Sequence, residues 1–528
     1  MKAIVKFSFS LMLAMTVSMV FTSCGSNTDP ETTNPGGIAP NDPKQRILGT
    51  WKCNDTDGYT VITFKDTGVS DWKYLFDNEI TRWSLNYEIN DQKLIIYEDG
   101  ERTEYTYTLT STTLKFDGDE YVKIENYVDE PDPIEGGTQA DNQYDNRGAV
   151  AKQFRGGGTK SNPYIISDAT ELRKLADDVE GGKTYRDEYF KMTADVIVNK
   201  RVVQSSIGEL AVSASSLEQW KPIGKGLTPF CGTFDGDGHT ISGIFIQKAD
   251  RDSLGLFGYL AGTIMNVKIE DSYVEGKNHI GGLVGVASLK NYSKDYVPTI
   301  SSCISFCVIK GSSGGLYQGG MAGYLKQGTI QRCLNYGVIN GYRQVGGIVG
   351  HLGASIAIDC ANYGPINGYS YYVGGVVGVL GPLKPENKYI YSSLYNCYNF
   401  GTIMGERTVG GIIGNVGRTG GNGTISNIVN YGKVQIQSDK SSIGALVGAI
   451  DKGAALTKGY FLETSYPKAA GTSTGSGTPT DVQSMTSKQM KAQTFLNDLN
   501  KNAKALGSSY SQWKFGIDGF PIFEWVKE

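Results

Sequence analysis

Residues able to carry metal or nucleophilic chemistry are sparse in this chain of 528 residues. It has three histidines, His239, His279 and His351. None of them begins an H-E-x-x-H phrase, so the ligand set of a zinc peptidase is missing. The eight cysteines contain no CxxC pair, which removes the usual zinc frameworks. An excess of basic charge is absent as well: 50 Lys and Arg stand against 54 Asp and Glu, for a net charge of −4. That balance excludes the basic field of a nucleic-acid surface. Beyond Cys24 no apolar run is long enough to span a membrane. A lyase or glycosidase needs paired acids, or an acid beside a base. Glu270, Asp271 and Asp359 are scattered, and no two share a repeat position. Residues distant in sequence can still converge, so a carbohydrate-active enzyme on a β-helix stays open as the alternative.

Glycine, by contrast, is abundant at 69 residues, as turns at every coil would require. Much of it recurs in one phrase between Ser253 and Ile450: GGLVG at Gly281–Gly285, GGMAG at Gly319–Gly323, GGIVG at Gly346–Gly350, GGVVG at Gly374–Gly378 and GGIIG at Gly410–Gly414. Looser copies are Leu254–Gly258 and Gly444–Gly448. The closing glycines 258, 285, 323, 350, 378, 414 and 448 are 27 to 38 residues apart, a stacked-repeat period. A second phrase alternates with the first: CLNYGVI from Cys333, CANYGPI from Cys360, CYNFGTI from Cys397 and IVNYGKV from Ile428, with a degenerate copy from Cys303. Each unit has two short β-prone runs that cannot bury an apolar face alone, so neighbouring units must stack. The expected product is a parallel β-solenoid. Exchange of Cys303, Cys333, Cys360 and Cys397 with Ile428 marks an apolar interior slot rather than a metal site. Asn335, Asn362, Asn399 and Asn430 are expected to form an amide ladder.

The two phrases and their spacing resemble the GLUG repeat of bacterial surface proteins. So do the flanking Trp220–Gly224 and Gly232–Ile241. The resemblance covers 158–528 and implies a β-helix. Proteins with that repeat include IgA-specific metallopeptidases, but no histidine here begins the required motif, so the expectation is that the chain is not an enzyme. Asp235-Gly236-Asp237-Gly238 is read as a turn rather than a calcium loop, since the remaining ligands are missing. No cofactor and no metal are expected.

The N-terminus adds three segments. Residues 1–23 carry Lys2, Lys6 and an apolar run, and Thr22-Ser23-Cys24-Gly25 resembles a relaxed lipobox of the Bacteroidetes type. The resemblance implies a lipid on Cys24, a membrane partner and an outer-membrane location with the protein exposed at the surface; residues 24–44 then form a flexible tether. Over 45–127, seven short alternating runs predict an antiparallel meander closing into a small barrel. Its Gly49-Thr50-Trp51 start resembles lipocalin-like domains. The barrel could hold an apolar ligand; a spacer filled by Trp51, Trp72 and Trp83 is the preferred reading. Residues 128–157, with Glu130-Pro131-Asp132-Pro133, read as a linker. Helices are expected after Asp168, with capping-box spacing to Glu171, and over Lys488–Ala505. Both are expected to cap the open ends of the coil.

The fold class is therefore all-β: a parallel solenoid with helical caps, preceded by a small antiparallel barrel. The function expected is binding or adhesion, with glycans or host surface proteins as partners and no nucleic acid. Repeat lengths suggest where. Gly323 to Cys333 and Gly350 to Cys360 are ten positions, whereas Gly285 to Cys303 is eighteen and Gly378 to Cys397 is nineteen. Such insertions fall on one face, often the binding face. They carry Lys290, Tyr292, Lys294 and Tyr296, and Lys384, Asn387, Lys388 and Tyr389. Exposed Tyr beside Lys and Asn suits a sugar ring or a protein partner; the alternative is a pair of tolerated surface loops. The Tyr369, Tyr371 and Tyr372 turn is a rival site.

Overall fold

The structure is a computed structural model that describes residues 43–124 and 153–527, apart from 55–57, 66–68, 77–78, 99–100, 111, 118, 205–207, 289–296, 384–389, 418–423, 437–441, 451–453 and 474–478. The chain divides into two compact units, one within 1–135 and one within 136–528. The signal segment, Cys24 and most of the expected linker lie outside the described residues.

The first unit is a nine-stranded antiparallel sheet. Its seven predicted runs are present as strands, joined by Gly49–Asn54 at the front. The run expected over Thr103–Leu109 is split into Glu101–Tyr105 and Tyr107–Leu109. These two strands stand at opposite ends of the pairing order, yet only Thr106 separates them. One residue can join the two ends only if the sheet curls round on itself. Trp51, Ile62, Phe64, Leu94, Leu114 and Phe116 pack into one buried cluster inside the curl. Trp51 is fully buried and donates its indole N–H to the Ile47 carbonyl at 2.7 Å. Trp72 packs at the cluster's margin, edge-on to Phe116 at 6.2 Å.

The second unit is a right-through stack of parallel ladders. One coil shows the plan: Thr329–Gln331, Leu334–Asn335, Ile339–Gly341, Arg343–Gly346 and Val349–Gly353. Equivalent strands of successive coils pair in register, giving parallel sheets of seventeen, eight, seven and six strands. Like residues therefore stack on like, as Ile339 on Ile366 on Ile403, and Leu352 on Leu380. A left-handed residue recurs at one position of each coil: Asn266, Ser302, Arg332 and Asp359 between the first two strands, and Asn396, Asn427 and Lys458 inside the longer strands Ser393–Asn399, Thr424–Asn430 and Ala455–Leu462, all with φ of 53° to 56°. This column bends the chain and leaves the next residue, the Cys slot, facing inward. Cys303, Cys333, Cys360, Cys397 and Ile428 are all fully buried, and the thiols are free.

The Asn ladder runs through the interior. Asn335 Nδ2 donates to Asn362 Oδ1 at 2.8 Å, Asn362 to Asn399 at 2.8 Å and Asn399 to Asn430 at 2.9 Å. Asn430 then donates to Ser465 Oγ at 2.6 Å. Each amide also donates to the carbonyl of the glycine two residues on, as Asn362 does to Gly364 at 2.8 Å. These fully buried groups are thus paired within the ladder, as burial demands. The ladder and the next coil's backbone together explain the second glycine of the GG phrase. A Cβ at Gly320, Gly347 or Gly375 would collide with the amide of Asn335, Asn362 or Asn399 respectively, and also with the carbonyl of Gly347, Gly375 or Gly411. The two repeated phrases are therefore halves of one contact.

The N-terminal end of the stack is covered as expected. The helix Ala169–Glu180 buries Leu172, Leu175, Ala176 and Val179 in the solenoid's own core cluster. Asp168 caps it by accepting the Glu171 N–H at 2.9 Å. The reciprocal bond is displaced by one residue: Glu171 accepts the Ser167 N–H at 2.7 Å. The unit also begins earlier than the linker reading allows, because Phe154 packs against Tyr164, Tyr185 and Phe190.

The C-terminal segment departs from expectation. Its helix is broken into Ser487–Met490 and Gln493–Leu506, and it lies along the flank of the stack instead of closing its end. The reason is strand alternation. With Cys and Asn facing inward, the residue between them faces out, and that residue is Leu334, Ala361, Tyr398 or Val429. These apolar groups are covered by Phe495, Leu499, Trp513, Ile522 and Phe523. The left-handed column anchors the cover: Ser511 donates to Asp359 at 2.6 Å, and Trp513 to Asn396 at 2.8 Å.

Replacing Asn362 by Leu should strip Asn335 of an acceptor and Asn399 of a donor while keeping the volume. Asn335 keeps its bond to the Gly337 carbonyl and Asn399 keeps the Gly401 N–H, so each loses one of its bonds rather than all; denaturant unfolding should show a loss of about 1–3 kcal/mol. Cys360→Ser places a hydroxyl in the apolar stack and should cost about 1–3 kcal/mol, with Cys360→Val much milder. Equal melting of both Cys360 variants would contradict the interior placement.

Candidate functional site

Outward positions of the GG-side strands stack in register just as the interior does, so a side chain and its counterparts form surface columns. One column lies two residues before the GG phrase, at His279, Tyr317, Gln344 and Tyr372, with Ser253 in register before His279, all left-handed with φ of 57° to 66°. A bulky residue at positive φ is uncommon, and here two Tyr and a His take it. The close approach is permitted by the closing glycine of the following coil: a Cβ at Gly350 would meet the Tyr317–Gln318 backbone at 2.6 Å. A second column pairs Val286 with Tyr324, Tyr324 with His351, and His351 with Val379.

The two columns meet in an aromatic cluster. His279 stacks on Tyr317 at 4.8 Å, and Tyr317 on Tyr324 at 5.5 Å. His351 stands edge-on to both, at 5.3 and 5.0 Å. His351 Nδ1 is 2.7 Å from Gln344 Oε1, so the ring donates there as the neutral tautomer. Desolvation, with repulsion from His279 added, pushes His351 down to about 4. Desolvation also lowers His279, partly offset by Asp252, and its buried Nδ1 has no hydrogen-bond partner.

A third column continues the face. Arg343, Tyr371 and Arg407 stand two residues before the paired Val345, Val373 and Val409. Both guanidinium groups lie over the Tyr371 ring, Arg343 at 5.4 Å and Arg407 at 4.5 Å, and Arg407 also bonds the Tyr371 hydroxyl. Tyr372 lies 5.8 Å from Tyr371, and Tyr369 is 48% exposed. The predicted Tyr turn is thus brought together with two arginines, and Tyr372 follows Gln344, the partner of His351, in the first column. Sequence reading missed the two arginines, which stand 28 residues before and 36 residues after Tyr371. The available signal was register: aligning the GG phrases puts Arg343, Tyr371 and Arg407 in one column.

The other predicted site residues are placed differently. Lys290, Tyr292, Lys294 and Tyr296 lie outside the described residues, as do Lys384, Asn387, Lys388 and Tyr389. Their flanking strands are described. Val284–Ser288 and Val377–Gly381 belong to the eight-stranded ladder, and the strands that follow belong to the seventeen-stranded one. Both insertions therefore leave the same corner, whereas Tyr369–Tyr372 stands at another, between the seven- and six-stranded ladders.

The scattered acids serve the fold. Asp359 is buried beneath the C-terminal segment, where desolvation raises its carboxyl and hydrogen bonds from Ser511 and Asn396 oppose the shift. Asp271 accepts the Val203 N–H at 2.8 Å, and burial pushes it up to about 6. Glu270 pairs with Lys268. Asp235 accepts the Asp237 N–H at 2.9 Å, while Asp237 pairs with Lys191 at 2.9 Å, so the Asp-Gly phrase is a turn. Among the described residues no three His, Cys, Asp or Glu gather as a metal site, and no helix is long and apolar enough to cross a membrane.

No protein-family model matches the chain. Halomucin of Haloquadratum walsbyi is 30% identical over 142 residues, which is 26% of this chain and 2% of halomucin. A candidate Gly-rich membrane protein of Evansella cellulosilytica is 31% identical over 149 residues, 27% of this chain and 15% of that protein. The chain therefore spans a small part of the curated relatives it matches. Among solved structures, a candidate immunoglobulin A1 protease from Bacteroides ovatus aligns at 20% identity and a TM-score of 0.42, covering 72% of this chain and 98% of its own. A second, named IgA1 protease, aligns at 12% identity and a TM-score of 0.31, covering 79% and 29%. The expectation that the chain is not an enzyme is corrected on this finding, since both solved neighbours carry a protease name. Histidine counting tests one zinc-dependent mechanism and leaves other chemistry open.

The depressed His351 makes stability depend on pH. The unfolded imidazole protonates near 6.5, and the folded one near 4. The unfolded state therefore binds more protons between these values, and stability present above about 6.5 is lost as pH falls towards 4. The loss should be on the order of 2–3 kcal/mol from this residue. His351→Gln should flatten the slope of unfolding free energy over that window. An unchanged slope would show that other groups set it.

Proposed function

We propose that the chain is a surface-anchored binding lipoprotein whose solenoid engages glycan or host protein through the Tyr–Arg–His face. The observation that carries the reading is the gathering of Tyr371, Tyr372, Tyr369, Arg343 and Arg407 from successive coils on one outer surface. Aromatic rings supply contact area at low entropic cost, and a stiff stack presents them without ordering on binding. Solenoids commonly offer extended faces of this kind. In this reading the repeats are of GLUG type, the first unit is a lipocalin-like spacer, and a lipid on Cys24 holds the protein at the outer membrane. The two insertions that leave the corner between the eight- and seventeen-stranded ladders, with Tyr292 and Tyr389, are proposed to serve the same role.

Two experiments test it. A glycan array and a panel of host proteins, IgA1 among them, should be read for retention and for cleavage. Retention supports the binding face, and shortened products would place an active site in the chain. For a retained ligand, Tyr369→Ala with Tyr371→Ala should weaken affinity at least tenfold, about 1.4 kcal/mol, with melting unchanged. Full affinity in that variant would move the site elsewhere. Cys24→Ala should lose lipid labelling and partition out of the detergent phase; retention there would place the anchor on another residue.

A further inference from the structure

The Arg343–Tyr371–Arg407 column has a charge pattern that the fold does not use. Ion pairs elsewhere on the solenoid satisfy cations such as Arg155, Arg173 and Lys221 with Glu171, Glu218 and Asp177. Among the described residues, neither Arg343 nor Arg407 has a carboxylate within 4 Å. The Arg343 Nε is buried and donates to nothing. Both guanidinium groups are instead held by the Tyr371 ring, which attracts cations through its π face, and Arg407 Nη1 also donates to the Tyr371 hydroxyl, so neither fork meets a charged acceptor among the described residues. A planar guanidinium fixed this way is prepared to bind a carboxylate or sulfate through paired N–H bonds. Two of them flank one ring two coils apart, roughly 10 Å along the stack, about the repeat of two sugar units. Exposed Tyr369 and half-buried Tyr372 continue the apolar contact beside them.

We infer that this column is a subsite for an anionic saccharide, in which Arg343 and Arg407 take carboxylate or sulfate groups on sugars whose rings pack along Tyr371 and Tyr369. The inference rests on the binding reading above and names the ligand class for it. A neutral glycan would leave both guanidinium groups without a charged partner, whereas an acidic one supplies carboxylate or sulfate acceptors to them. Because charge dominates the contact, retention should fall as salt rises.

The test uses the full chain on immobilised polymers: polygalacturonate for carboxylate, sulfated dextran for sulfate, neutral dextran, and polyglutamate as an acidic chain without rings. Wild type should retain polygalacturonate, sulfated dextran or both over neutral dextran, and over polyglutamate at least fivefold. Arg407→Gln, an exposed position, should lower affinity at least fivefold with unchanged melting, and Arg343→Gln with Arg407→Gln should abolish it. Retention of an acidic polymer unaltered by the double variant would overturn the subsite while leaving the binding face intact. Retention of neutral dextran alone, or of polyglutamate as strongly as of the sugars, would overturn the ligand class. If no polymer is retained, the saccharide inference fails, and the binding reading stands or falls on the host-protein panel.

Discussion

The amide ladder of Asn335, Asn362, Asn399 and Asn430 is the constraint on which the rest of the solenoid depends. A parallel stack of apolar strands has weak preference for one register, because Ile on Ile and Ile on Val differ little. A buried amide has a strong one. Shifted by a single residue, each Asn would face the side that carries Leu334 or Tyr398, and its donor and acceptor would be lost together. The ladder thus converts a set of similar coils into one register. The second glycine of the GG phrase serves the same packing, since Gly320, Gly347 and Gly375 leave the space that the amides and the next coil's carbonyl fill.

Fixed register on the inside determines what stands on the outside. Positions just before the GG phrase cannot drift relative to one another, so Arg343, Tyr371 and Arg407 superpose although their local sequences differ. The His279–Tyr317–Tyr324–His351 cluster arises in the same way. Neither group is a cavity or a convergent pair of catalytic acids; each is a surface stripe with a spacing set by the backbone. Function then varies by changing outward residues while the interior stays as it is. The cost is borne at His351, whose neutral state is maintained by burial, and at the left-handed Tyr317 and Tyr372.

Much of this was legible in the residues. Repetition of GG-φ-φ-G and C-x-N-Y-G exposed the stack, the inward Cys slot and the Asn ladder, because interior contacts join like to like and leave a periodic signal. Strand alternation also showed the barrel runs. What escaped was anything that depended on the outer face. The C-terminal segment was read as an end cap, yet the apolar residues between Cys and Asn, Leu334, Ala361, Tyr398 and Val429, already called for cover along the flank. Arg343 and Arg407 were passed over because unequal repeat lengths hide their alignment with Tyr371. The exclusion of enzymatic activity rested on histidine counting, a test too narrow for the conclusion drawn from it.

The central claim is that the amides act as a connected chain and not as separate buried groups. A double-mutant cycle on Asn362→Leu and Asn399→Leu, read by denaturant unfolding, measures this directly. The first substitution already breaks the 362–399 link, so the double variant should lose less than the sum of the singles, with a coupling of about 1 kcal/mol or more. Additivity within about 0.3–0.5 kcal/mol would mean that each Asn is satisfied within its own coil, and that register is set by something other than the ladder.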